Sequence, residues 1–238
     1  MRKYIIISLL LLCSIFLSAQ SFRGVKGNGQ VTVQDRNLYD DFQAINASSG
    51  VNVYITAGDN PSLEVEADEN LHEVIVTEVS NGTLNISTNK NIRKSNKKNV
   101  YVTYISLNKL NASSGADIEG TNLLKAQELN LQSSSGGDIE IEVLSEYITV
   151  STSSGGEVEL KGKSINIDAD ASSGGEVDAK ELKVLHANTK ASSGGSVKVN
   201  TRESLKANAS SGGKIEYYGS PEEIQIEAGY SGRVSKKN

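Results

Sequence analysis

One four-residue phrase recurs along the chain and limits what it can fold into. It reads Ala47-Ser48-Ser49-Gly50, Ala112-Ser113-Ser114-Gly115, Ser133-Ser134-Ser135-Gly136 and Thr152-Ser153-Ser154-Gly155. It continues as Ala171-Ser172-Ser173-Gly174, Ala191-Ser192-Ser193-Gly194 and Ala209-Ser210-Ser211-Gly212, and closes on the weaker Tyr230-Ser231-Gly232. Between Ser114, Ser135, Ser154, Ser173, Ser193 and Ser211 the steps are about 21, 19, 19, 20 and 18 residues. Self-similarity at a period near 20 marks a solenoid, whose coils are each too small to bury a core alone and do so by stacking.

The residues flanking the phrase alternate. Leu129-x-Leu131, Ile148-x-Val150, Ile165-x-Ile167 and Leu205-x-Ala207 precede it; Asp138-Ile139-Glu140, Glu157-Val158-Glu159, Glu176-Val177-Asp178 and Lys214-Ile215-Glu216 follow. Period-2 alternation describes strands with one buried face, and no segment sustains a helical i, i+3, i+4 pattern. The expected fold is all-β: a single-domain parallel β-helix or β-solenoid with coils of about 20 residues, each of two or three short strands.

Comparison of the copies indicates which glycine the turn demands. Gly50, Gly115, Gly136, Gly155, Gly174, Gly194, Gly212 and Gly232 end the phrase, whereas the next position is Val51, Ala116 or Arg233 in three copies and Gly in the rest. Positive φ is therefore expected at the first glycine alone. By the same comparison Gly156→Ala should cost less than Gly155→Ala. The small residue before the serines is expected to turn inward, and the serines to stack as hydroxyl ladders. A nucleophilic serine would not need a copy in every coil.

Arg2 and Lys3 precede an apolar run from Tyr4 to Leu12, and Leu17-Ser18-Ala19 supplies small residues for cleavage. Residues 1–19 thus read as a signal peptide and 20–36 as an extended lead-in, with the solenoid at 37–238. After cleavage no transmembrane segment is expected. Cys13, the single cysteine, lies in the apolar run without a small residue before it, so lipid attachment is not expected. Between Ser48 and Ser113 the pattern loosens to a stretch worth about three coils. Strands are expected at 51–55, 63–67, 74–79, 83–86 and 100–105, with a tight hairpin at Asn81-Gly82 and a basic segment, 89–99, looping out.

Phe42-x-x-Ile45 leading into Ser49-Gly50-Val51-Asn52-Val53-Tyr54-Ile55, then Val65-Glu66-Ala67-Asp68-Glu69-Asn70-Leu71, Thr77-Glu78-Val79-x-Asn81-Gly82-Thr83-Leu84-x-Ile86 and the serial Ser-Ser-Gly-Gly coils carry a resemblance. Over about residues 38–235 the chain resembles the putative auto-transporter adhesin, head GIN domain family of exported Bacteroidetes proteins, with Gly50-Val51-Asn52 standing for Gly-Ile-Asn. The resemblance implies a β-helical fold and an adhesive role. The sequence to Asn238 carries no membrane barrel, so self-export is not expected.

Chemistry is sparse. His72 and His186 lack metal-ligand spacing to another His or Cys and read as surface or loop residues. Neither a phosphate loop nor a nucleophile elbow occurs, and no cofactor is expected. A net charge of −5 without a dominant basic face argues against nucleic acid as a partner. If the coils are in register, Asp117, Asp138, Glu157 and Glu176 form one outward acidic column and Glu119, Glu140, Glu159 and Asp178 another; these are cation candidates, with a solvated face as the alternative. Aromatic residues for sugar stacking are few (no Trp, 3 Phe, 9 Tyr), with Tyr101, Tyr104, Tyr217 and Tyr218 the candidates for a platform. Lys90, Arg93, Lys94, Lys97 and Lys98 could touch an anionic surface.

The expectation is a non-enzymatic, exported cell-envelope binding or adhesion module, in the periplasm, on the outer membrane or outside the cell; the sequence does not specify its ligand, for which a glycan and a protein are the candidates. The alternatives are a carbohydrate-active β-helix enzyme and a purely structural envelope protein.

Overall fold

The computed structural model describes residues 24–238; residues 1–19, expected to be a signal peptide, lie outside them. The first strands are β1 (Val25–Lys26), β2 (Val31–Asp35), β3 (Ala44–Ala47), β4 (Asn52–Ala57), β5 (Ser62–Asp68), β6 (Ile75–Ser80), β7 (Thr83–Thr88), β8 (Ile92–Lys94) and β9 (Lys98–Tyr104). Then come β10 (Lys109–Ser113), β11 (Asp117–Gly120), β12 (Leu124–Ser134), β13 (Asp138–Ser153), β14 (Glu157–Ala171), β15 (Glu176–Ala191), β16 (Ser196–Ala209), β17 (Lys214–Gly219), β18 (Glu223–Ala228) and β19 (Arg233–Lys236). One 3-10 turn, Glu69–Leu71, is the only helical element among the described residues. The whole is a parallel β-solenoid of about seven turns with coils of about 19 residues.

From β13 to β16 each coil is one strand of 14 to 16 residues, bent midway, rather than two or three short ones. Its bent halves are two arms, and the serine-glycine turn joins one coil to the next. Inward side chains stack in columns. Val53, Ile118, Ile139, Val158, Val177, Val197 and Ile215 form one, and all are essentially fully buried. The small residue before the serines also points inward, as Ala47, Ala112, Ser133, Thr152, Ala171, Ala191 and Ala209 are buried at 0–2% exposure. Only small side chains fit there because the coil narrows at its turn.

From Ser113 onwards each turn closes with a hydrogen bond from the fourth residue to the carbonyl of the first, such as Gly137 N–H to Ser134 O at 3.0 Å. Both central residues have positive φ: Ser135 at 54° and Gly136 at 71°. That is the type I′ pattern, so the second serine shares the left-handed conformation that sequence comparison assigned to the glycine alone. It points to solvent, the first serine is half-buried, and among the described residues no hydrogen bond joins these hydroxyls into a ladder.

Two further expectations are corrected here. The second glycine is required for space rather than dihedral freedom: a Cβ on Gly156 would lie 2.6 Å from the Ser133 carbonyl carbon and oxygen, in the coil below, whereas one on Gly155 meets nothing within 4 Å. Val51 and Ala116, both fully buried, have room only in the first two turns. Gly232 also belongs to this second position. Its N–H bonds Gly229 O and its Cβ would meet Ala209 O at 2.1 Å, so Ser231, at φ 57°, occupies the first-glycine place in that last turn.

The N-terminal end is not three successive coils. β7 and β9 form one coil that stacks beneath β3 and β4, in register from Ile45 with Leu84 and Val53 with Val100. Chain order and stacking order are therefore reversed at this end. β6 lies antiparallel on β7 through the Asn81-Gly82 turn, β5 antiparallel on β9, and β2 antiparallel on β5, closing the solenoid with strands of opposite direction. The basic segment is tied down rather than looped free: β8 pairs with β1, Lys97 lies 3.7 Å from Glu66, and Lys98 donates to Gly50 O. His72 is also buried in this cap, 2.9 Å from the Thr32 hydroxyl.

Candidate functional site

The solenoid presents two outward faces, one on each arm of the coil. On the arm after the turn, register aligns Asp117, Asp138, Glu157 and Glu176 in one column and Glu119, Glu140, Glu159 and Asp178 in the next. Lysines interleave along the second column and at Glu176. Lys161 reaches Glu140 at 2.7 Å and Glu159 at 3.1 Å, Lys198 reaches Glu176 at 2.7 Å and Asp178 at 2.9 Å, and Lys180 reaches Asp178 at 2.8 Å. Burial works to raise the Asp178 carboxyl, but the lysine hydrogen bonds outweigh it and hold the group below its usual range.

In the first column Asp117, Asp138 and Glu157 have no salt bridge among the described residues. Burial, reinforced by Glu157, Asp117 and Glu140, pushes Asp138 up to about 6; burial also raises Asp117, opposed by Lys98, and raises Glu157. Among the described residues no three His, Cys, Asp or Glu side chains are arranged to hold a metal ion.

The arm before the turn carries a feature that the sequence reading did not single out. Its outward columns are Glu128, Tyr147, Asn166, His186, Ser204 and Glu223, and beside them Asn130, Thr149, Asp168, Asn188, Lys206 and Gln225. These columns line two shallow clefts of about 460 and 950 Å³ that share Tyr147. They make one polar groove running along several coils. The Tyr147 hydroxyl donates to Asp168, and that bond raises its pKa. His186 faces Ser204 Oγ through Nδ1 at 3.0 Å and Glu203 through Nε2 at 3.6 Å, with both side chains of the latter pair about 45% exposed. The columns could have been found by aligning the positions between the apolar residues of each Leu-x-Leu or Ile-x-Ile pair.

The four tyrosines considered as a platform are not brought together. Tyr101 stacks on Tyr54 with ring centroids 5.2 Å apart at the capped end, Tyr104 and Tyr217 are buried, and Tyr217 and Tyr218 lie on β17 at the far end.

The model of the family described as putative auto-transporter adhesin, head GIN domain matches residues 41–221. The chain belongs to this family. Solved structures share the head GIN-like fold. A putative adhesin from Bacteroides fragilis superposes with a TM-score of 0.82 at 22% identity, covering 90% of this chain and 100% of that one. One from Parabacteroides merdae gives 0.71 at 24%, covering 90% and 99%. A Parabacteroides distasonis structure described as a putative lipid binding protein gives 0.69 at 22%, covering 91% and 100%. No curated protein matches the chain. Among the described residues no helix is long and apolar enough to cross a membrane.

Proposed function

We propose that this head GIN protein is an exported, non-enzymatic module of the cell envelope that binds an extended polar ligand, of glycan type, along the Tyr147 groove. The observation that carries this reading is the groove itself. Amide, hydroxyl and carboxylate side chains repeat at the strand spacing of about 4.8 Å, and an aromatic ring stands between the two clefts. A chain of hydroxyl-bearing units can meet the same donors and acceptors coil after coil, each contact weak and the sum considerable. The family's adhesin description supports a ligand outside the cell.

The test is a glycan array together with binding to envelope fractions, using the exported protein, whose N-terminus by mass spectrometry should lie at or near Gln20 without lipid. Tyr147→Ala should weaken binding about tenfold or more, while Glu157→Gln on the opposite face should leave it unchanged. Equal binding by both variants would sink the assignment to this groove.

A second reading, an ester hydrolase acting on acylated glycans, has one observation in its favour: Ser204, His186 and Glu203 stand within reach of one another. The solvent-open setting of the trio favours a structural contact. Ester turnover that disappears in Ser204→Ala would establish the enzyme instead.

A further inference from the structure

The two ends of the solenoid are finished differently. At the N-terminal end the chain lays antiparallel β6 and β5 over the edges of β7 and β9. At the other end β18 pairs with β16 and β19 with β17, and among the described residues no strand pairs with the far edges of β18 and β19. Ile224 and Ile226, which continue inward columns of the core, are 48% and 44% exposed there, and Tyr230 at the turn is 93% exposed. Open strand edges with apolar side chains are templates for a further strand.

The charges on this edge are sorted. β18 presents Glu223 and Glu227, and β19 presents Arg233 and Lys236, with Lys237 following. β18 runs towards the turn and β19 away from it. A two-fold axis through the turn, bisecting the two arms, would lay β18 of one copy on β19 of another in antiparallel fashion. With Tyr230 on the axis, Glu227 falls opposite Arg233, Ile226 opposite Val234, Gln225 opposite Ser235, Ile224 opposite Lys236, whose long apolar stem can cover it, and Glu223 opposite Lys237, which within its own chain lies 3.2 Å from Glu216. Parity is kept, since Ile226 and Val234 both continue inward columns while Glu223, Glu227, Arg233 and Lys237 face outward; Lys236 alone among these charges continues an inward column, that of Tyr217.

We propose that this end is an isologous interface, at which a second copy of the same chain supplies the antiparallel strands that the N-terminal end receives from its own β5 and β6. A two-fold interface must be self-complementary, and the acidic arm beside the basic arm is the arrangement that makes it so. Like charges would meet if β18 instead lay on β18. Each Glu227–Arg233 pair is an opposite-charge cross-strand pair, formed twice. The groove reaches this end, where Glu223, Ile224 and Gln225 line one of its clefts, but the inference rests on the open strand edge and its charges and not on a ligand in the groove.

Sedimentation velocity and light scattering on the exported protein should show a dimer. Glu227→Lys and Arg233→Glu should each weaken dimerisation about tenfold or more by placing like charges opposite each other, and the double variant should restore it. Tyr230→Cys should yield a disulfide-linked dimer on mild oxidation, whereas Tyr39→Cys, at a site 86% exposed near the capped end, should not. Monomeric wild-type protein at its solubility limit, a ladder of larger species indicating head-to-tail growth, or a double variant no better than either single would each overturn the proposal. Circular dichroism of the five variants separates lost association from lost folding.

Discussion

Asp138 lies directly over Glu157 in the parallel ladder of β13 and β14, half-buried and without a cation in contact among the described residues. Its pKa of about 6 stands above the ordinary 3.8, so between those values the folded protein binds more protons than the unfolded chain. The cost of burying the Asp138 charge, reinforced by repulsion from Glu157, Asp117 and Glu140, is thus absent below about pH 4 and fully present above about pH 6, and it lowers stability as pH rises through that window. The urea midpoint should rise when the pH falls from 7 to 5. Asp138→Asn should raise the midpoint at pH 7 and flatten this dependence; an unchanged profile would show that the column is already screened. At still lower pH stability should fall, because Asp178, Glu66 and Glu216 have lowered pKa values and lose their partners as they protonate.

The glycine pair offers a test of turn packing. Gly155→Ala places a side chain at φ 71° in open space, a dihedral cost of about 1 kcal/mol. Gly156→Ala forces a Cβ to within 2.6 Å of backbone in the neighbouring coil, which must move apart, at about 3 kcal/mol. Urea midpoints at matched slope should therefore place Gly156→Ala well below Gly155→Ala. The reverse order would mean that the coils yield more easily than their geometry implies.

Lys198 bridges Glu176 and Asp178. Lys198→Met keeps the apolar stem and removes the charge, leaving Glu176 with no salt bridge among the described residues and Asp178 with only Lys180. The expected loss is about 1–2 kcal/mol, read by urea denaturation at pH 7, and it should shrink when Glu176→Gln is added. Full additivity of the two changes would argue against a coupled pair.

The acidic columns also allow a metal test. With lysines already interleaved at Glu140, Glu159, Glu176 and Asp178, EDTA should leave the melting temperature nearly unchanged, and millimolar calcium should raise it only slightly. A large calcium-dependent rise, abolished in Asp138→Asn, would instead make Asp117, Asp138 and Glu157 a cation site.

The sequence by itself determined the solenoid, its period and the inward and outward faces of each coil. These rest on local properties: period-2 alternation at Ile139, Val158 and Val177, and a small residue before each turn. It also determined the acidic columns, since equal spacing from each turn sets the register of Asp138 on Glu157. Positive φ at the second serine was hidden because type I′ turns are usually announced by Asn or Asp before Gly, and Ser is an uncommon choice there. Tertiary structure alone decided the rest. Whether the second glycine was needed for its dihedral or for its size depended on the approach of Gly156 to Ser133 in another coil, and the one-residue slip at Gly232 appeared only from the carbonyl that its N–H bonds. The placing of β7 and β9 beneath β3 and β4 likewise depended on pairings between distant segments. The Tyr147 groove exists because the register of successive coils aligns side chains from six strands, and that alignment is a property of the stack that no single coil encodes.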